Sequence, residues 1–257
     1  GNSYLKKMYN KGLSKMDHLV AISDYVKETI VKKYNLPPNN ISVINRGIDT
    51  EYFNQTLNAG IRDNIINTHQ IDTAKKIILF PARITSWKGQ LEFIDVIKKM
   101  DTQNILLLFA GDTKNESYTK LVRDKIEQNN LEGVCKILGS VNQDEMRSLY
   151  QVADLSVSFP LRAEGFGRTI SESLYSKTPV LAFDYGGVKN QLANLSDMFK
   201  VKPQDYQALP AKIEKLLSLS EVEKKEALEG VQLVIESNFS KINMVNKYLK
   251  LYDSIKS

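Results

Sequence analysis

Between Lys76 and Phe183 the chain alternates between short apolar runs and amphipathic stretches. The runs Lys76–Pro81, Ile105–Ala110, Val134–Leu138, Leu155–Phe159 and Val180–Phe183 have strand length and are rich in branched and aromatic residues. The segments Trp87–Met100, Glu116–Asn129, Gln143–Val152 and Gly167–Ser176 repeat apolar residues at helical spacing. Strands joined through a helix pair in parallel, and right-handed crossovers cover both faces of the sheet with helices. This pattern predicts an α/β fold on a parallel sheet, with a sixth short strand at Met198–Val201.

The flanks are read the same way. Tyr4–Lys15 has helical periodicity with lysines on its polar side, which suits either a packed helix with a solvated basic face or an anionic membrane surface. His18–Ile22 reads as a strand, Ser23 as the cap of a helix running to Tyr34, and Ile41–Ile44 as another strand. Gln55–Thr73 is polar and weakly patterned, and reads as a linker with a short helix at a domain boundary. Beyond Lys202, Ala208–Leu217 and Val222–Ile235 are amphipathic helices, and Asn238-Phe239-Ser240 is a break. Ile242–Ile255 is a last helix whose Val245, Tyr248, Leu249 and Tyr252 share a face free to cover another domain.

In a parallel sheet all strand exits share one edge, the edge where open sheets bind ligands. Here the exits carry Arg83, Lys88 and Gly89, then Gly111-Asp112-Thr113, Gly139-Ser140, the loop Glu164–Gly167, and Gly186-Gly187. Arg83 and Lys88 suit a diphosphate, one as a planar fork and the other as a point charge. Gly167 opens a helix whose amino end favours an anion. Glu164 lies in the loop before it and Glu172 in its second turn, with seven residues between them. Two acids beside an anion site point to hydroxyl recognition next to phosphate, and a nucleotide-sugar offers both. Each feature also has a plainer reading. An acid near a helix start serves the helix dipole, paired glycines make turns, and Arg83, Lys88 and Arg46 each serve equally as surface charges.

Composition narrows the classes. The net charge of +5 is interspersed along 257 residues, which suits a phosphate-bearing ligand or an anionic surface. With no zinc-finger spacing, RNP motif or basic arm, no nucleic-acid partner is expected. Cys135 is the only cysteine, so an internal disulfide is excluded and a reducing, cytoplasmic setting is expected. His18 and His69 are the only histidines, which argues against a histidine metal site or a serine–histidine triad. The opening Gly1-Asn2-Ser3 carries no methionine, and a piece of a longer protein is the expectation.

Together these residues resemble group 1 retaining glycosyltransferases, carbohydrate-active family four. The likeness runs through Val20-Ala21-Ile22-Ser23, Asn45–Phe53, Arg83 with Lys88-Gly89, Ala110-Gly111-Asp112 and Leu138-Gly139. It continues through Glu164-Gly165-Phe166-Gly167 with Glu172, Thr178-Pro179-Val180, Gly186-Gly187, and Phe239-Ser240 with Leu251-Tyr252. The resemblance implies a Rossmann-like domain forming the carboxyl-terminal half of a glycosyltransferase-B fold. Residues 1–54 would be the closing portion of the amino-terminal acceptor domain and 55–75 a linker. Residues 76–238 would be the donor-binding domain, and 239–257 a helix returning towards the amino-terminal portion. The implied activity is sugar transfer from a nucleotide-diphosphate sugar to a carbohydrate or lipid-linked acceptor with retention of configuration. Relatives act in bacterial polysaccharide biosynthesis, which implies a cytoplasmic protein with peripheral contact at the inner membrane face.

The resemblance also implies roles. Arg83 and Lys88 hold the diphosphate and stabilise the leaving group, and Glu164 contacts hydroxyls of the transferred sugar. Gly165, Phe166 and Gly167 supply backbone N–H groups, Glu172 holds the ribose, Gly111 belongs to the same edge, and Gly139 lies by the base. No metal or other cofactor is expected. Several positions depart from the family pattern: Pro81-Ala82 before Arg83, Thr113 after Gly111, Ser176-Lys177, and Asn190 where relatives often carry glutamate. The missing acceptor-side residues imply that this stretch binds donor but transfers sugar poorly by itself. The alternatives are a non-catalytic nucleotide-sugar-binding module, or an epimerase or phosphorylase of the same fold.

Overall fold

The computed structural model describes residue 12, residues 15–55 and residues 59–256. Apart from Gly12 and Lys15, the predicted helix Tyr4–Lys15 lies outside the described residues.

Strands β1 (Leu19–Ala21) and β2 (Ile41–Val43) pair in parallel around helix α1 (Asp24–Tyr34). The Ser23 side chain caps α1 by accepting from Val26 N. After α2 (Thr50–Asn54) and α3 (Ala59–Thr68) the chain enters the main sheet. Its strands are β3 (Lys76–Pro81), β4 (Ile105–Ala110), β5 (Cys135–Gly139), β6 (Leu155–Ser158), β7 (Val180–Phe183) and β8 (Lys200–Val201). They lie in the order β5-β4-β3-β6-β7-β8, and every pairing is parallel. The crossovers carry α4 (Gln90–Ile97), α5 (Glu116–Gln128), α6 (Gln143–Val152), α7 (Arg168–Tyr175) and α8 (Val188–Leu192).

The sheet is covered on both faces, and its strands show this as unbroken apolar runs. Along β3, Ile78 and Phe80 join the larger cluster, while Ile77 and Leu79 face a second cluster with Ile65 of α3 and Leu149 and Tyr150 of α6. The segment expected as a linker thus contributes a ten-residue helix whose Ile65 is buried in the core. On the larger side, aromatic rings form a continuous row. Phe80 meets Phe109 (centroids 5.5 Å) and Phe93 (5.6 Å), Phe93 meets Phe159 (5.1 Å), and Phe159 meets Phe183 (5.1 Å). Phe159 directly follows β6 at the start of the segment that leads to Glu164, so this row supports the exit edge from below.

Among the boundaries that differ from expectation, the predicted break Asn238-Phe239-Ser240 is helical through Phe239, and two others concern helix starts and divisions. The stretch Val222–Ile235 is two helices, α10 (Glu221–Ala227) and α11 (Val231–Phe239), following α9 (Leu209–Leu217). Gly230 lies between them as the amino-terminal cap of α11, with a φ of 72° that re-aims the chain. The helix expected to start at Trp87 begins only at Gln90, because Lys88 and Gly89 turn towards the segment that leaves β6.

The last helix, α12 (Lys241–Lys256), is tied at its start to the segment before α2. Ile48 N donates to Phe239 O and Lys241 N donates to Ile48 O, each at 2.8 Å. Lys241 Nζ also pairs with Asp49 Oδ2 at 3.1 Å. Ile242, Val245, Leu249 and Tyr252 of α12 are exposed.

Candidate functional site

The sheet order reverses between β3 and β6: the chain builds outward to β5 on one side and to β8 on the other. Loops leaving neighbouring strands at such a switch point diverge to opposite faces and leave a crevice at the carboxyl edge. The β3 exit carries Arg83 and Lys88, and the β6 exit carries Glu164. Topology therefore brings together residues 76 positions apart in the sequence.

The Lys88 ammonium donates to Glu164 Oε1, with side-chain exposures of 16% and 11%. Leu161 N donates to Trp87 O at 2.8 Å and straps the two loops together. Gly89, at φ 87°, lies where a Cβ would stand 2.2 Å from Phe159 O, so only glycine permits this approach. Lys88 Nζ also sits 4.3 Å from the Trp87 ring centroid, and the Arg162 guanidinium lies 5.0 Å from it. The Arg83 side chain is exposed and has no acid partner among the described residues. Its backbone is fixed instead, because the Gln90 side chain donates to Arg83 O at 2.9 Å.

Neighbouring exits are laced to this pair. Ile84 N donates to Asp112 O at 2.9 Å and Gly111 N to Gly139 O at 2.8 Å, so Gly111 and Gly139 lie along one edge with Arg83. Across the crevice, Gly187 N donates to Glu164 O at 2.9 Å, and a Cβ on Gly187 would come within 2.1 Å of Gly165 O. Gly186-Gly187 thus acts as a flat seat for the Glu164–Gly167 loop. From the amino-terminal segment, Ser23 Oγ donates to Gly165 O at 2.6 Å, and Asn190 Nδ2 donates to Asp24. Asn190, which departs from the family pattern, is therefore spent on joining α8 to α1. The Phe166 side chain is buried against Phe239, with centroids 5.7 Å apart, so only its backbone faces the loop.

Gly167 caps α7 without a side-chain acceptor; Ile170 N donates to Gly167 O at 3.0 Å, and the N–H groups of Arg168 and Thr169 are left for an anion. Glu172 projects from the second turn and is 8% exposed. Arg168 Nε meets its Oε1 at 2.7 Å, and Tyr150 Oη donates to its Oε2 at 3.0 Å. Burial pushes the Glu172 carboxyl above its ordinary range, against the opposing pull of Arg168 and the Tyr150 hydroxyl. Burial and the neighbouring Glu172 charge likewise hold the Tyr150 hydroxyl well above the usual phenol range.

The structure thus gathers Arg83, Lys88, Glu164, Gly111, Gly139, Gly165, Phe166, Gly167 and Glu172 on one edge. Sequence reasoning missed Tyr150, Arg168, Ser23 as a loop contact, and Gln191, whose Nε2 donates to Phe166 O while its Oε1 accepts from Ser171 Oγ. Arg168 was legible from its four-residue spacing to Glu172. Tyr150 and Gln191 reach the site only through tertiary packing. Arg46, read as a surface charge, is exposed beside Gly47. Gly47 packs on the backbone of Ser240 and Lys241, with a Cβ position 2.4 Å from Lys241 N.

Comparison with known proteins agrees with this architecture. The family model described as glycosyl transferases group 1 matches residues 61–229, and that of glycosyltransferase family 4 matches residues 1–52. The chain belongs to the group 1 glycosyltransferases. An uncharacterized glycosyltransferase of Methanocaldococcus jannaschii is 26% identical over 201 residues, covering 78% of this chain and 50% of the relative. The chain spans about half the length of the curated relatives it matches. The crystal structure of a glycosyltransferase from Rickettsia africae superposes with a TM-score of 0.88 at 29% identity, covering 100% of this chain and 68% of the other. An Anabaena protein solved in complex with UDP-glucose superposes with a TM-score of 0.85 at 19% identity, covering 98% and 68%. The fold is the Rossmann-like, carboxyl-terminal half of a glycosyltransferase-B architecture.

Proposed function

We propose that this chain is the donor-binding part of a retaining hexosyltransferase that moves a sugar from a nucleotide-diphosphate sugar to a carbohydrate or lipid-linked acceptor. The observation that carries this reading is the Lys88–Glu164 pair at the switch point, beside the exposed Arg83. A diphosphate arriving at this edge competes for the Lys88 ammonium and releases Glu164 to accept from sugar hydroxyls. One exchange thereby prepares both ends of the scissile bond. Cleavage of a glycosyl–phosphate bond builds negative charge on the leaving oxygen, which Arg83, Lys88 and the uncapped start of α7 are placed to offset. This gives the diphosphate its counter-charge without a metal ion. Glu172 accepts from the ribose.

The Anabaena fold neighbour bound to UDP-glucose supports a nucleotide-sugar donor. The family match at residues 1–52 supports assigning 1–54 to the acceptor side. The buried Ile65 of α3 and the family match over 61–229 support counting 59–75 with the donor domain, which runs to 238, with 239–257 as the returning helix. Among the described residues no helix is long and apolar enough to cross a membrane. The net charge of +5 suits peripheral contact of a cytoplasmic enzyme with an anionic membrane face.

Calorimetric titration with UDP, GDP and ADP, then with the matching nucleotide-sugars, tests the reading. Saturable binding of one base, weakened by Arg83→Ala, is expected. No binding of any of the three would reject it.

A further inference from the structure

Glu172 is held from two sides that differ in kind. Arg168 reaches Oε1 from solvent, with its side chain 63% exposed. Tyr150 reaches Oε2 from the core and is fully buried. Its ring packs in the cluster of Ile65, Ile77, Leu79 and Leu149. Its carbonyl accepts from Thr178 Oγ1 at 2.5 Å, which ties the end of α6 to the turn before β7. The Tyr150 hydroxyl therefore has a fixed position, whereas Arg168 can move aside.

We infer that Tyr150 is a positioning residue for nucleoside recognition: its buried hydroxyl holds one oxygen of Glu172 so that the other is aimed at the ribose when Arg168 yields. This rests on the donor reading above. A glutamate has three side-chain torsions, and a free carboxylate would sample several orientations. Anchoring one oxygen to a rigid donor removes that freedom before the ligand arrives, so the entropy is lost on folding instead of on binding. The hydrogen bond also compensates a carboxylate that would otherwise be under-satisfied where it is buried.

The test compares a ribonucleoside diphosphate with its 2′-deoxy counterpart, using whichever of UDP, GDP and ADP binds. Their affinity ratio isolates the ribose contact from the phosphate and base contacts. Y150F keeps the ring and removes only the hydroxyl. It should lower the ribo-to-deoxy ratio about tenfold, the size of one charge-assisted hydrogen bond, while the deoxynucleotide Kd stays unchanged. Ile65→Ala, in the same cluster but on a different helix from both Tyr150 and Glu172, is the packing control; it should lower the thermal midpoint and leave the ratio alone. Adding Y150F to E172Q should change the ratio no further, and this double variant carries the test without a buried carboxylate if Y150F alone folds poorly. If both nucleotides weaken equally in Y150F, or if Y150F lowers the ratio equally in the E172Q background, the inference is overturned. If wild type binds no nucleoside diphosphate, the donor reading itself falls and the inference goes with it.

Discussion

Replacing Lys88 by methionine separates the two things the Lys88–Glu164 pair does. Methionine keeps an unbranched stem over Trp87 and removes the charge. With side-chain exposures of 16% and 11%, the pair is largely withdrawn from water, and removing one partner leaves a carboxylate uncompensated. Such a loss costs about 3–5 kcal/mol when fully buried. The residual exposure argues for the lower end, about 3 kcal/mol, or a fall in thermal midpoint of about 6–12 °C for a chain of this size. Loss of a charged phosphate contact costs about 1.5–3 kcal/mol, a tenfold to hundredfold rise in Kd for the nucleoside diphosphate. Adding Glu164→Gln neutralises the stranded acid, so stability should return towards wild type while affinity stays low. Scanning calorimetry and titration on the same samples read both quantities. Recovery of affinity in the double variant, or wild-type affinity in K88M, would refute the exchange by which a diphosphate takes Lys88 from Glu164.

Other perturbations probe the supports. Because burial raises the Glu172 carboxyl, the folded chain holds that proton to higher pH than the unfolded chain does. Stability should therefore decline as pH climbs from the ordinary glutamate range through the raised value, and E172Q should remove that decline in a series of thermal midpoints against pH. Parallel slopes for wild type and E172Q would contradict this. Gly187→Ala puts a methyl 2.1 Å from Gly165 O, where backbone must move. A loss of about 1–3 kcal/mol in chemical denaturation and weaker nucleotide binding are expected. Ser23→Ala deletes both the cap on Val26 N (3.2 Å) and the bond to Gly165 O (2.6 Å) from a fully buried position. It should cost about 1–2 kcal/mol, read by the same denaturation.

Much of the architecture was legible because periodicity is a local property. The alternation from Lys76 to Phe183 specifies strands, helices and parallel pairing, and Gln143–Val152 forms the helix its spacing predicts, capped by Asn142 with Glu145. The cations, acids and glycines after the strands were legible because every exit of a parallel sheet falls on one edge. Element ends were less so. The helix after β3 starts late because Gly89 must pass Phe159 O, and Val222–Ile235 is two helices because Gly230 takes a left-handed conformation. The amphipathic pattern carries neither event.

Tertiary structure alone decided which of those residues meet. That Lys88 pairs with Glu164 follows from the reversal of strand order between β3 and β6, a choice made by packing of helices on opposite faces. That Glu172 is a buried, doubly held carboxylate depends on Tyr150, 22 positions away on a different helix. Gly47, which reads as a turn glycine, is needed because the chain at Ser240 and Lys241 crosses it. Local sequence determines which elements form and which chemistry their ends carry, since hydrophobic spacing and backbone propensity act over a few residues. Pair distances, burial and protonation depend on which elements the core places side by side, and those are properties of the packed chain as a whole.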